Sequence, residues 1–408
     1  MSNTLNGELG SLVKSGGGKI HTGPFGSQLH ASDYVAEGIP CIMPANMKNS
    51  RVDLSSIAYI TVGDAQRLSK YIVKENDIVY SRRGDVTQKA LIRKNEEGYF
   101  CGTGCLLLRP GKKFDARFLT YYLSIPKIQS WIVSQAVGAT MPNLNTGILS
   151  SIPFHGPEKL EQERVANVLS AIEGKIELNN RINAELEAMA KTLYDYWFVQ
   201  FDFPDDSPQG QGKPYKTSGG KMVYNPTLKR EIPEGWSGGT LGEIAELYQP
   251  KTISEKEMTE DGEFLVYGAN GIVGRYDQYN HEQSVVAVTC RGNSCGEINV
   301  TRPYSWITGN AMVVNTDSHF LTPTYIYNLL RSSGLENVIT GSAQPQITRT
   351  NLAPMKIIRP AEKLLTNYAE FVKPNFEKRM AILYENEKLE KLRDWLLPML
   401  MNGQVTVK

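Results

Sequence analysis

Four short stretches carry the residue types from which active sites are usually assembled, and none of them has the spacing that the chemistry needs. Cys101 and Cys105 form a C-x3-C pair and Cys290 and Cys295 a C-x4-C pair, with Cys41 left over. A structural zinc ion takes four thiolate or imidazole ligands, and no histidine lies where it would complete either set. Buried or incidental thiols of a reducing compartment are the plainer account. SGGGKI, from Ser15, has the glycines and lysine of a phosphate-cradling loop but neither its spacing nor the hydroxyl residue that follows. Pro204, Asp205 and Asp206, followed by Lys213, resemble a nuclease carboxylate set only loosely. His21, His30, His155, His281 and His319 are scattered without partners. No dinucleotide-binding glycine motif opens a strand–helix unit, and no Asn/Asp-Pro-Pro-aromatic sequence of the amino-methyltransferase type is present. The sequence therefore offers no catalytic machinery, no metal site and no cofactor site.

The elements around these stretches are more informative. GATMPNLNTGIL from Gly138 returns as GSAQPQITRTNL from Gly341, a step of 203 residues. The same step carries Pro142 to Pro345, Leu144 to Ile347, Leu149 to Leu352 and Pro157 to Pro360, and farther on Leu186 to Leu389 and Leu193 to Leu396. A gapless register of this length marks an internal duplication. DIVYSRR, GCLLLRP, SVVAVTCRG and NAMVVN predict strands bounded by turns, and FLTYYLSI and TYIYNLLRS predict short helices. Each copy then ends in a long amphipathic run. In the first, Val165, Ile172, Leu186 and Leu193 form one heptad series around Asn179, and Val168, Ile182, Met189 and Tyr196 form the other around Lys175. In the second, Tyr368, Ile382, Leu389 and Leu396 pair with Phe371, Leu392 and Met399. A lone helix with one apolar stripe needs a partner, and the rod of matching length is the other copy.

The expected organisation is a mixed α/β chain: a globular domain over 1–157, a long helix over 158–201, an exposed linker over 202–231, a second domain over 232–360 and a C-terminal long helix over 361–402. The two helices would pair antiparallel as a coiled coil, separating the domains with pseudo-twofold internal symmetry. Net charge is +1, but residues 1–157 carry a balance of +6 and residues 232–360 one of −4. A simple basic DNA-coating protein would not divide its charge in this way. The N-terminus lacks a basic-then-apolar leader and no apolar run reaches membrane-spanning length, which predicts a cytoplasmic protein with no membrane partner.

Several patterns in order resemble the specificity (S) subunit of Type I restriction-modification enzymes. IPEGW at Ile232 with TLGEIAEL resembles the opening of a target recognition domain, and YGANGIVGRYDQY, VVAVTCRGNSCG and ITGNAMVV resemble its body. GPFGSQLHASDY and IVYSRRGD resemble the first domain of many such subunits, and YDYWFVQFDFPD the boundary after the first helix. The chain departs from the pattern at its N-terminus, where GELG follows without the usual x-P-x-G-W lead. The resemblance implies a non-catalytic subunit that reads a bipartite double-stranded DNA target, one half per domain, with the helical pair as the ruler between them. It also implies two methyltransferase (M) subunits beside the helices and restriction (R) subunits joined through that core. S-adenosylmethionine and ATP would belong to those partners.

On this reading the candidate DNA-binding residues of the first domain are Arg82, Arg83 and Gln88 around the Gly84-Asp85 turn, together with Ser27 and Gln28 of the GPFGSQLHASDY stretch. In the second domain they are Arg291 and Asn293 in the equivalent turn, and Asn270 and Arg275 in a Gly-rich loop. Arginine suits guanine and glutamine or asparagine suits adenine in the major groove. The −4 balance keeps a second reading open, a coiled-coil scaffold whose two heads bind proteins.

Overall fold

The computed structural model describes all residues except 1–3, 137, 139–141, 209, 270, 317, 342–343 and 408. The chain divides into two compact units, residues 1–178 with 386–408 and residues 179–385. Each unit therefore holds one domain and half of each long helix.

In the first unit the central sheet runs Lys19–Thr22, Cys105–Arg109, Ile78–Ser81, Lys89–Leu91, every neighbour antiparallel. Its middle strands are short aliphatic runs buried on both faces, as β-branched and leucine residues between Gly, Asp and Pro punctuation favour. The second unit repeats that order with Glu246–Tyr248, Ala311–Asn315, Val286–Thr289 and Ile298–Val300. Thr4–Glu8 pairs antiparallel with Pro153–Pro157, and Ser237–Thr240 with Lys356–Arg359, so each domain closes on the strand that feeds its long helix. The copies part company in a second sheet. The first unit has four strands there, Phe100–Cys101, Ile39–Ile42, Ala58–Ile60 and Tyr34–Val35; the second has three, Gly271–Tyr276, Phe264–Gly268 and Trp306–Ile307. A shared frame thus carries unlike insertions, which is why the 203-residue step fails upstream of Gly138.

The long helices span Lys159–Tyr194 and Glu362–Met401, 36 and 40 residues, or roughly 54 and 60 Å at about 1.5 Å per residue. Within each unit their halves pack antiparallel. In the first, Val165, Ala166 and Leu169 share a core with Leu400 and Met401. In the second, the Tyr368 hydroxyl donates to the Ala190 carbonyl at 3.2 Å and the Asn179 amide group to Glu385 at 2.8 Å. The series through Val165, Asn179 and Leu193 faces the seam, as its heptads predict. The companion series differs from expectation: Leu169, Asn183 and Ala190 are buried, whereas Met189 is 58% and Phe371 63% exposed. The seam accepts small and polar residues close to the partner backbone, and leaves larger apolar ones outside.

Residues 202–231, read from composition as an exposed linker, carry two hairpins. Pro204–Asp205 pairs with Lys213–Pro214, and Met222–Asn225 with Arg230–Pro233. Phe203, Met222, Val223 and Leu228 pack against the core of the second unit. The aromatic run after the first long helix enters the same core: Asp195–Val199 widens to a π-turn, and Trp197, Phe198 and Phe201 are buried with Trp236, Tyr325 and Tyr368.

Candidate nucleic-acid interface

The strand Ile78–Ser81 runs out into a turn whose shape is fixed by its own side chains. Gly84 sits at φ +75°, a left-handed conformation that costs any residue with a Cβ. The Ser81 hydroxyl donates to the Arg83 carbonyl at 2.8 Å. Asp85 accepts from the Thr87 amide at 2.9 Å and from the Gln88 amide group at 3.0 Å. Burial works against its charge, but the Thr87 hydroxyl and amide and the Gln88 amide group outweigh it and hold the carboxyl below the usual range. Arg83 points into solvent and Arg82 is half-buried.

The turn is braced from below by the motif that the duplication repeats. Asn143 forms an antiparallel bridge with Arg83, and the Leu144 amide donates to the Arg82 carbonyl at 2.8 Å. In the second unit Gln346 bridges Arg291, and the Ile347 amide donates to the Cys290 carbonyl at 3.0 Å. Gln346 is Asn143 moved by the 203-residue step. The two turns are therefore equivalent: Arg83 matches Arg291, Gly84 matches Gly292 (φ +85°) and Asp85 matches Asn293. Arg291 and Asn293 are both exposed. Just downstream the side chains of Asn145 and Thr348, also one step apart, cap the short helices Thr146–Ser150 and Arg349–Leu352.

Topology brings a second loop to the same place in each unit. Thr22 and Ser81 flank the same end of the Cys105–Arg109 strand, at Leu106 and Cys105. The loop after Thr22 thus lies beside the turn, with the Arg82 guanidinium 5.4 Å from the centre of the Phe25 ring and Arg82 Nε donating to Asn143 at 3.4 Å. Phe25, half exposed at 52%, and Asn143 were not among the residues that sequence reasoning singled out. Their signals were present, as an aromatic in the Gly-Pro-x-Gly loop and as the residue after the repeated proline.

The other candidates divide. Ser27 is exposed in the Phe25 loop. Gln28 serves that loop's own structure: its Oε1 accepts from the Phe25 amide at 3.2 Å and from the Tyr71 hydroxyl at 2.9 Å. Arg275 lies on a strand away from the second turn, its guanidinium donating to the Gly262 carbonyl at 2.9 Å. Asn270 lies outside the described residues. Lys89, beside the first turn, is buried with its ammonium 5.8 Å from the centre of the Tyr80 ring, and burial pulls its pKa down to about 8. Neither surface collects residues of a catalytic kind, and among the described residues no group of His, Cys, Asp or Glu is arranged to hold a metal ion. The same residues include no helix long and apolar enough to cross a membrane.

Comparison with known proteins converges on one group. The family model for the Type I restriction modification DNA specificity domain matches twice, at residues 9–188 and 233–376. The chain is 26% identical to the Type I restriction enzyme MjaIX specificity subunit of Methanocaldococcus jannaschii, over 92% of this chain and 89% of that one. It is 20% identical to the HindI specificity subunit of Haemophilus influenzae, over 84% and 90%. The fold is similar to that of the Type I restriction-modification S subunit from M. genitalium, with a TM-score of 0.59 at 19% identity over 98% of this chain and 96% of that one.

Proposed function

The chain belongs to the Type I restriction modification DNA specificity family, and from that premise we propose that it reads a bipartite DNA target, one half with each domain, for methyltransferase and restriction subunits that hold the catalytic sites. The observation that carries this reading is the repeated turn. Two exposed turns, Arg82 to Gln88 and Arg291 to Asn293, stand on equivalent strands, each clamped by the same motif one repeat apart. A rigid loop that presents arginine and amide side chains is suited to base edges in a major groove. Because the frame is shared and the side chains differ, the two halves of the target would differ in sequence. The long helices would act as the ruler that sets the spacing between them.

The outer faces of the helices support two methyltransferase subunits. Met189, Tyr196 and Phe371 line a groove of about 440 Å³, and Leu392, Met189 moved by one repeat, is 42% exposed near Trp395 at 61%. Apolar side chains left in solvent at matching positions of a duplicated rod suit two copies of one partner. Restriction subunits would join through that core, in the cytoplasm. S-adenosylmethionine and ATP chemistry would lie in those subunits.

The test is to co-express the chain with the methyltransferase subunit of the same genome and map methyladenine across the host DNA at single-base resolution. A split motif with one methyladenine in each half is the expected result. An intact complex with active methyltransferase that adds no methylation would end this reading. The −4 charge balance of residues 232–360 favours a protein-binding scaffold instead, for which binding would lack sequence preference and the steep salt dependence of phosphate contacts.

A further inference from the structure

The loop that approaches each turn extends the interface beyond the turn itself. In the first unit Pro24 stands two residues past the strand end at Thr22, and Phe25 follows it; in the second Pro250 stands two residues past Tyr248, and Lys251 follows. The registers differ by one residue: Thr22 lies opposite Leu106 and Ser81 opposite Cys105, whereas Tyr248 lies opposite Val313 and Thr289 opposite Ala311, so Gln249 is the counterpart of Thr22 and Thr252 that of Phe25. In both units the loop still touches the turn. Phe25 lies under Arg82, and Gln249, just before Pro250, donates to Cys290, the equivalent of Arg82, at 2.9 Å. Phe25 thus has no aromatic counterpart in the second unit, where Thr252 holds its place in the shared frame.

The Phe25 ring stands half in water beside the turn, with the Arg82 guanidinium over its face. Arg82 has its Nε engaged by Asn143, while its terminal nitrogens make no hydrogen bond among the described residues. Held in this way, the guanidinium presents two donors in a fixed plane, the geometry that matches the O6 and N7 of guanine. The ring beside it offers an apolar surface at the same height. In a major groove the apolar feature on a base edge is the thymine 5-methyl group.

We propose that Phe25 and Arg82 read one two-base-pair step together, Arg82 taking a guanine and Phe25 lying against the methyl group of a thymine in the neighbouring base pair. This rests on the reading of the chain as a DNA specificity subunit.

The experiment uses the complex reconstituted with its methyltransferase subunits and duplexes that carry the mapped target. Arg82→Ala first identifies the G·C pair whose discrimination relaxes. Each thymine in that half-site is then replaced by deoxyuridine, which removes only the 5-methyl group. The wild-type complex should lose roughly fourfold in kcat/KM, about what one buried methyl contributes, at a single thymine next to that G·C pair. Phe25→Ala should methylate the thymine and deoxyuridine duplexes equally, and Phe25→Leu should keep part of the difference. A role for Phe25 in folding alone would lower both rates without equalising them. The proposal is overturned if every deoxyuridine is neutral in the wild type, if Phe25→Ala keeps the full difference, or if no A·T pair adjoins the G·C pair. A wild-type complex that methylates nothing overturns the specificity reading itself, and this inference with it.

Discussion

Asn143 stands opposite Arg83 in an antiparallel bridge, and its neighbour Leu144 donates its amide to the carbonyl of Arg82 at 2.8 Å. One short contact therefore anchors the exposed turn to the segment that precedes the helix Thr146–Ser150. Leu144 is wholly buried, in the core that holds Tyr80, Leu149 and Phe154. Leu144→Ala should cost about 2–5 kcal/mol, from lost transfer and the cavity left behind. Because the backbone bond sits on that residue, hydrogen exchange at residues 82–88 should accelerate beyond the global loss. Ile347→Ala should act alike on the second unit only. Equal protection of the turn in wild type and variant would show that Leu144 does not brace it.

The turns themselves depend on one backbone conformation. Gly84 and Gly292 lie at φ +75° and +85° with no atom within 4 Å of a Cβ built on either. Alanine would meet no clash, so its cost is conformational, about 1 kcal/mol. Gly84→Ala should lower the unfolding midpoint slightly and degrade discrimination in the first half-site alone. Gly84→Asn should do less, since asparagine tolerates the left-handed region. Methylation mapping of both variants checks this, and loss of discrimination in both half-sites at once would contradict it.

The sequence carried the duplication, the strands and the rods because each rests on local pattern: a fixed 203-residue step, short aliphatic runs, heptads. It did not carry the heptad companion series. Asn183 and Ala190 look wrong for a seam and Met189 and Phe371 look right, yet a close antiparallel pair buries the former and exposes the latter. Residues 202–231 look like a linker for a similar reason, since Gly and Pro dominate and the few apolar residues that dock the hairpins are sparse. At the interface, Arg83 and Arg291 were legible as arginines beside glycines. The engagement of Gln28 with the Tyr71 hydroxyl and of Arg275 with the Gly262 carbonyl was not, because a hydrogen bond to a residue distant in the chain leaves no mark in spacing. Nor was Phe25, whose place beside Arg82 follows from the order of strands in the sheet.

Glu96 makes the first unit sensitive to pH. Burial raises its carboxyl to about 7 from an ordinary 4.5, with Arg51 acting in the opposite direction. Arg93 donates its amide to the side chain at 2.8 Å, and Arg51 and Arg93 both reach Glu177 on the first long helix. A raised carboxyl pKa means that the folded state holds the proton more tightly than the unfolded one. Its contribution is therefore most favourable below pH 4.5 and is lost as pH rises through about 7. Glu96→Gln cannot ionise, so its stability relative to wild type should climb across that window and level off above it. Urea midpoints of the two proteins at several pH values measure this. A constant difference would mean that Glu96 titrates normally.

A single side chain clamps the second domain to its part of the rods. Glu187 on the first long helix accepts from the Tyr327 hydroxyl at 2.8 Å and from Arg331 at 3.3 Å, both on the short helix Pro323–Ser333. Its other oxygen accepts from Arg379 of the second long helix at 2.7 Å. One carboxylate thus ties three helices of that unit. The side chain is 30% exposed, so solvent screens it and the network contributes less than a buried one. Glu187→Ala should cost about 1–2 kcal/mol, and Glu187→Gln less, because the amide oxygen can still accept from Tyr327. High salt should narrow the gap between wild type and Glu187→Ala, since partly exposed pairs are screened. The proposed role of the rods as a ruler gives this clamp a functional consequence. A domain held less firmly to the rod should accept targets whose spacer is one base pair longer or shorter. Methylation rates on such duplexes should fall less for Glu187→Ala than for wild type, while the rate on the native spacing changes little. An unchanged spacing profile in a measurably destabilised variant would separate the clamp from the ruler and assign Glu187 to stability alone.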